Sequence, residues 1–186
     1  PGLGGQVWQK LGASVTNLAA GEIFQALQTG TLDAAEFVGP YNDLALGFYQ
    51  IAKNYYFPSF IEPGLATELT VNKSKFKALP ADLQEIVRTA AQAEYDNVSS
   101  DMFANDPRAL NTLVEKHGVK THQFPDSILE AGAKASAEVI TAVRDGDNAL
   151  GKKTAESFIS ALKLLRQRSE STDSPYIVAR EKYFKI

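Results

Sequence analysis

Glu36 and Glu62 are the residues of this chain whose types and surroundings most readily do chemistry. They lie in the stretch GTLDAAEFVGPYNDLALGFYQIAKNYYFPSFIEPG, each at the end of an apolar or aromatic run and beside a Gly-Pro or Pro-Gly break. A pair of carboxylates can serve as general acid and base in a hydrolase. With Asp33 they can equally supply oxygen donors to a hard cation. In the plainest reading Glu36 caps a helix beginning near Pro40, and Glu62 is an exposed loop residue. Residue types alone leave all three readings standing. The aromatics Phe37, Tyr41, Phe48, Tyr49, Tyr55, Tyr56, Phe57 and Phe60 can wall a dry pocket holding a few polar groups, which is the usual anatomy of a small-molecule site.

Positioning these groups requires strands and helices. Leu32 to Val38 reads as a short strand that turns at Gly39-Pro40 and delivers Glu36 to its carboxyl end, where ligands bind in open α/β sheets. Ala13 to Leu18, Leu65 to Asn72 and Val119 to Phe124 read as further strands. Helices are expected at Gln6 to Leu11, Glu22 to Gln28 and Tyr41 to Ala52, the last with Leu44, Phe48 and Ile51 in register. Pro80 opens a long helix with a buried stripe of Leu83, Ile86, Val87, Ala90, Tyr95 and Val98, and Pro107 should kink or restart it. Asp126 or Ser127 caps a helix running to about Arg144. Another spans Lys152 to Arg168, and Ser174 to Ile186 can add a short one. The organisation falls into residues 1–64 with the ligand site, 65–125 with a return strand and the long helix, and 126–186 with C-terminal helices.

Other motifs carry less. Gly2-Leu3-Gly4-Gly5 lacks the preceding strand and third glycine of a dinucleotide fingerprint, so it reads as a helix-entry turn. His117 suits a helix end, and its spacing to His122 matches no familiar metal pair. No GxSxG elbow occurs. The absence of cysteine removes thiolate and disulfide chemistry, and fits an oxidising compartment as it fits many cytosolic proteins. With 44% hydrophobic residues in 186, the chain can bury a core. Its 19 basic and 22 acidic residues form no basic stripe, so nucleic acid is not an expected partner. No apolar run approaches the roughly 20 residues of a membrane helix. The start at Pro1-Gly2, without methionine or signal peptide, leaves either a removed leader or, as the small number of strands favours, a larger missing N-terminal part.

From GQVWQKLGASVTNLAAGEIFQALQTG through GTLDAAE, VGPYND, LGF and EPG, the chain resembles the extracytoplasmic solute-binding proteins of TRAP transporters. The likeness continues through the long helix and HGVKTHQFP, covering nearly the whole chain. It looks closest to the subgroup binding 2-oxo acids and related monocarboxylates, whereas the dicarboxylate branch typically reads nearer VDGQEN in the strand. The resemblance implies an α/β, periplasmic binding protein-like (type II-like) two-lobed fold, here lacking much of the N-terminal lobe and helix-rich in its second half.

It further implies a ligand carboxylate held by an arginine lying immediately before Pro1-Gly2, so not in this chain, often beside a cation. A glutamine cation ligand of the first lobe is likewise absent. By resemblance Glu36, the Phe37 carbonyl and Glu62 ligate a sodium or calcium ion that bridges to the ligand. Phe37 replaces the more usual tryptophan, which shrinks the wall and removes an N–H donor. Glu36, Phe37, Tyr41, Asn42 and Phe60 are expected to touch the substrate. The expected activity is periplasmic capture of a small organic acid for TRAP membrane permease subunits, with no catalytic cofactor and no turnover. The last helix and the Ser174 to Ile186 tail leave two readings open, a homodimer through the C-terminal helices or a fold back onto their own lobe. The rivals are a hydrolase or lyase using Glu36 and Glu62, and a helical oligomerisation module.

Overall fold

The computed structural model describes residues 2–62, 64 and 67–184. In chain order the elements are α1 (Leu3–Lys10), α2 (Ala20–Gln28), α3 (Pro40–Ala45), β1 (Asn54–Phe57), α4 (Lys73–Ala78), α5 (Ala81–His117), β2 (Lys120–Gln123), α6 (Asp126–Asp145), α7 (Ala149–Arg168) and α8 (Ser174–Tyr183). A 3₁₀ turn, Phe48–Gln50, precedes β1, and a π-helical turn, Ser169–Asp173, joins α7 to α8. They form two compact units, one within residues 16–129 and one made of residues before 16 and after 129.

The unit within residues 16–129 is organised by α5, on which α3 packs. β1 and β2 pair in parallel, Asn54 opposite Lys120 and Phe57 opposite Gln123. Local signals start and stop its helices. The Glu22 carboxylate accepts the Ala19 amide at the start of α2 (3.2 Å), and Asn72 Oδ1 accepts the Ser74 and Lys75 amides of α4. α5 ends where Gly118 takes φ 67°, a left-handed conformation that suits glycine, and the Val119 amide returns to the Leu113 carbonyl. Its buried residues are Ala109 and Leu113.

Four expectations are corrected here. Ala13–Leu18, Leu32–Val38 and the described residues 67–72 are not strands, whereas Leu65 and Ala66 lie outside the described residues. A strand needs a neighbouring backbone to close its ladder, and within the described residues these segments have none. The helix expected over Tyr41–Ala52 is interrupted at Gly47, which adopts φ 74° and splits it into α3 and the 3₁₀ turn. Of the kink or restart expected at Pro107, the restart does not occur, since α5 runs unbroken across it. Finally, Leu83, Ile86, Ala90 and Tyr95 of the expected stripe are exposed rather than buried. The strand at Val119–Phe124 is present as β2, while β1 and α4 were not anticipated.

In the other unit the buried residues include Val7 of α1, Ala135 and Val139 of α6, and Ala155 of α7. Lys10 of α1 pairs with Glu138 of α6 at 2.8 Å, but both are exposed, so the pair adds little stability. Asn148 Oδ1 accepts the Gly151 amide and caps α7. Beyond Ala155 the helical run carries Phe158, Leu162, Leu164, Leu165, Tyr176, Ile177, Val178, Tyr183 and Phe184 exposed. The tail therefore does not fold back to cover its own aromatics.

Candidate functional site

The segment 36–38 reaches α3 through Gly39-Pro40. Pro40 at the first helical position has no amide hydrogen to lose, and Gly39 has no side chain with which to cap. The cap comes from α5 instead: Asp106 Oδ1 accepts the Tyr41 amide at 3.0 Å. Glu36 makes no such bond, so the reading in which it caps this helix falls away.

Glu36, Phe37 and Val38 line one side of a cavity of about 200 Å³, with Glu62, Gly64 and Thr67. α5 contributes Val98, Ser99, Met102, Phe103 and Asp106 to the same lining. Glu36, Phe37 and Glu62 thus line one cavity. Tyr41 and Asn42 line an adjoining cleft of about 500 Å³ with Glu94, Asn97 and Asp101, and the two share Val98 and Met102. Phe60 lies elsewhere, edge-on to Phe124 at 5.5 Å. Most of the other aromatics also serve the scaffold rather than the cavity. Tyr49 stacks on His117 (3.8 Å between centroids), and Tyr56 stacks on His122 and Phe124 beside the strand pair. Phe48 supports Phe37 in a T-shaped contact at 5.7 Å.

Among the described residues no lysine, arginine or histidine lines the Glu36–Glu62 cavity. Loss of water around Glu36, then the Glu62 charge, then that of Asp43, raise its pKa above the ordinary value. Asp43, only 8% exposed in α3, is raised mainly by burial, with Asp106 adding to the effect. The Tyr55 hydroxyl opposes this by donating to Asp43 Oδ2 at 2.6 Å. The Val38 amide also favours the charge, although no hydrogen bond of good geometry reaches Asp43 Oδ1. The same crowding of burial and negative charge pushes the Tyr55 phenol strongly up. Glu36, Glu62 and Asp106 line the cavity with no basic side chain beside them among the described residues, an arrangement that suits a positive guest, whereas Asp43 with its unbonded Oδ1 lies outside the lining. Among the described residues no three His, Asp or Glu side chains gather as a complete metal site, so a cation here must take other oxygens, including those of a ligand.

The stability of the empty protein should carry this signature. A carboxyl group whose folded pKa is raised holds its proton more tightly folded than unfolded, so stability falls as pH rises through the interval above the ordinary values of 3.8 for Asp43 and 4.5 for Glu36. The lowered groups Glu138 and Asp145 act in the opposite sense but are surface-exposed, and about 0.5 M salt screens them. In such salt the melting temperature should drop across that interval, and Asp43→Asn should flatten the drop. A melting temperature that rises with pH there, unchanged by the substitution, would contradict this origin.

Asp43, Asp106 and the α5 wall were missed from sequence. Asp106 lies 65 residues from the amide it holds, and its only local mark is the proline that follows. The aspartate in Val-Gly-Pro-Tyr-Asn-Asp was visible, but nothing nearby announces that it is buried.

Comparison with known proteins places this geometry in context. The family model described as bacterial extracellular solute-binding protein, family 7, matches residues 1–145. A monocarboxylate 2-oxoacid-binding periplasmic protein from Nostoc sp. is 39% identical over 139 residues, which is 75% of this chain and 38% of that protein. Two solved structures are TRAP periplasmic solute-binding proteins. The one from Pseudoalteromonas atlantica, with bound sodium and pyruvate, is 32% identical with a TM-score of 0.87, over 96% of this chain and 54% of that one. The other, from Colwellia psychrerythraea, with bound calcium and pyruvate, is 33% identical with a TM-score of 0.85, over 95% and 54%. The chain therefore spans about half the length of these solved structures, with the fold of a periplasmic binding protein over that part.

Proposed function

Because this chain belongs to the bacterial extracellular solute-binding protein family 7, we propose that it carries the cation side of a ligand site for pyruvate or a related 2-oxo acid. The observation that carries the reading is the convergence of Glu36, Phe37 and Glu62 on one cavity whose described lining residues include no basic side chain. Glu36, the Phe37 carbonyl and Glu62 would hold a sodium or calcium ion. Hard cations take six to eight oxygens when calcium-like, so three protein donors leave room for others. A 2-oxo acid supplies two, a carboxylate oxygen and the adjacent carbonyl, in one chelate. The two glutamates offset the cation's charge, and their own repulsion is relieved by it. The relatives that bind pyruvate with sodium or calcium support this pairing.

No bond need be made or broken. The protein captures the acid in the periplasm and passes it to TRAP permease subunits, and Tyr41 and Asn42 extend the ligand surface into the adjoining cleft. The comparisons support binding, and none supports a hydrolase or lyase. Titration of the full-length protein with pyruvate should give saturable binding that requires sodium or calcium. Absence of binding with both cations present, or binding unchanged after their removal, would overturn the reading.

The exposed stripe on α7 and α8 supports a homodimer. Phe158, Leu162 and Leu165 recur at helical spacing, and Tyr176, Ile177 and Val178 follow beyond the π turn. Burying them against a second copy at roughly 25 cal/mol per Å² favours a self-complementary contact. Light scattering at tens of micromolar, a range where such contacts are expected to persist, should give twice the chain mass for the full-length protein. Truncation before Ser174 should return it to the monomer. A monomeric mass in both forms would remove the dimer.

A further inference from the structure

The start of α3 has an unusual dependence on a distant residue. Gly39 brings no side-chain acceptor, Pro40 no amide donor, and the Tyr41 amide is satisfied by Asp106 from the middle of α5. The fit is close: a Cβ placed on Gly39 would stand 3.4 Å from Asp106 Oδ1. Asp106 also lines the cavity that Glu36, Phe37 and Glu62 share. Its neighbour Pro107 fixes one backbone torsion and withholds the amide that would bind the Phe103 carbonyl one turn earlier. Phe103 lines the same cavity. Residues 36–39 have no ladder or helix of their own to fix them. The Asp106 bond at their far end therefore ties that segment to the long helix.

We infer that Asp106 is a positioning residue: by accepting the Tyr41 amide it aims the Glu36–Phe37 segment at the cation. This rests on the proposed binding function for its consequence, but not for its structural content. The Asp106 side chain needs only an acceptor oxygen for this role, so asparagine can replace it and alanine cannot. Its charge is even unfavourable locally, since it helps raise the pKa of Asp43.

The test pairs Asp106→Ala with Asp106→Asn in the full-length protein, using calcium with pyruvate as the probe and hydrogen exchange of residues 36–46 as the structural readout. Asp106→Ala should weaken calcium-dependent pyruvate binding about tenfold, one factor of ten per 1.4 kcal/mol, and speed exchange in that segment. Asp106→Asn should restore both close to wild type. Alanine with wild-type exchange would overturn the inference. So would asparagine binding as weakly as alanine with normal exchange, which would make the charge, not the bond, the important property. If the unaltered protein binds no pyruvate with either cation, the functional reading fails separately. Exchange in the alanine variant still decides whether Asp106 holds the segment.

Discussion

Replacing Glu36 by glutamine is expected to weaken cation-dependent pyruvate binding by at least about a hundred-fold, close to 2.7 kcal/mol. Glutamine preserves the shape and one acceptor oxygen but removes a full negative charge from a cavity whose described lining residues offer no positive group. At contact distance, even with an effective dielectric near 20, a carboxylate and a cation attract by several kcal/mol before the cost of drying them is subtracted. The substitution should have the opposite sign on the empty protein. It removes a carboxylate that Glu62 and Asp43 both crowd, so the melting temperature without ligand should hold or rise slightly. Glu85→Gln, on the exposed face of α5 beside Arg88, is the control and should change binding little. A Glu36→Gln protein that binds calcium and pyruvate normally, or one that loses binding only because it has unfolded, would remove Glu36 from the site.

Leu113→Ala is expected to cost about 3 kcal/mol of stability, in the range for emptying a well-packed leucine site. Leu113 is 2% exposed and, with Ala109, is what α5 buries along its 37 residues. Its carbonyl also receives the Val119 amide that closes the helix. At several degrees per kcal/mol for a unit of this size, the melting temperature should fall by about 10 °C or more. Leu164→Ala, at a position 66% exposed, should stay within about 0.5 kcal/mol, provided the measurement is made below the concentration at which copies associate. Equal effects at the two positions would mean that Leu113 does not anchor this unit.

The helices were readable from local sequence because a helix closes its hydrogen bonds within itself and announces its ends. Pro80 ahead of α5 and the cap at Asp126 or Ser127 for α6 both pointed correctly. The strands were less legible for the complementary reason. Whether Leu32–Val38 becomes a strand depends on a neighbouring backbone, and alternation within the segment carries no record of whether one exists. Tyr55, Tyr56 and Phe57 had strand propensity, but the same aromatics also suited a pocket wall, and the structure uses Tyr56 to clad the strand pair. At the site, Glu36 and Glu62 stood out as carboxylates at chain breaks, and the cavity does bring them together. Asp106 was invisible because it acts across 65 residues from inside a long helix. Family resemblance supplied the ligand-binding expectation, while the tie to α5 came only from three dimensions.

The parallel pairing of β1 with β2 also bears on the order of assembly. Asn54 and His122 bond across the pair although 68 residues separate them in the chain. Closing a loop of that length costs on the order of 4 kcal/mol in chain entropy, and a two-stranded ribbon cannot recover it alone. The strands should therefore join only after α5 has formed and shortened the distance. Tyr55 reaches Asp43 from β1, so the neighbourhood of the Glu36–Glu62 cavity is completed at that late step. Pyruvate and calcium should then slow unfolding without accelerating refolding, and a ligand-dependent refolding rate would reverse this order. On this order, any affinity of the proposed site would be acquired late in folding, once β1 has brought Tyr55 to Asp43.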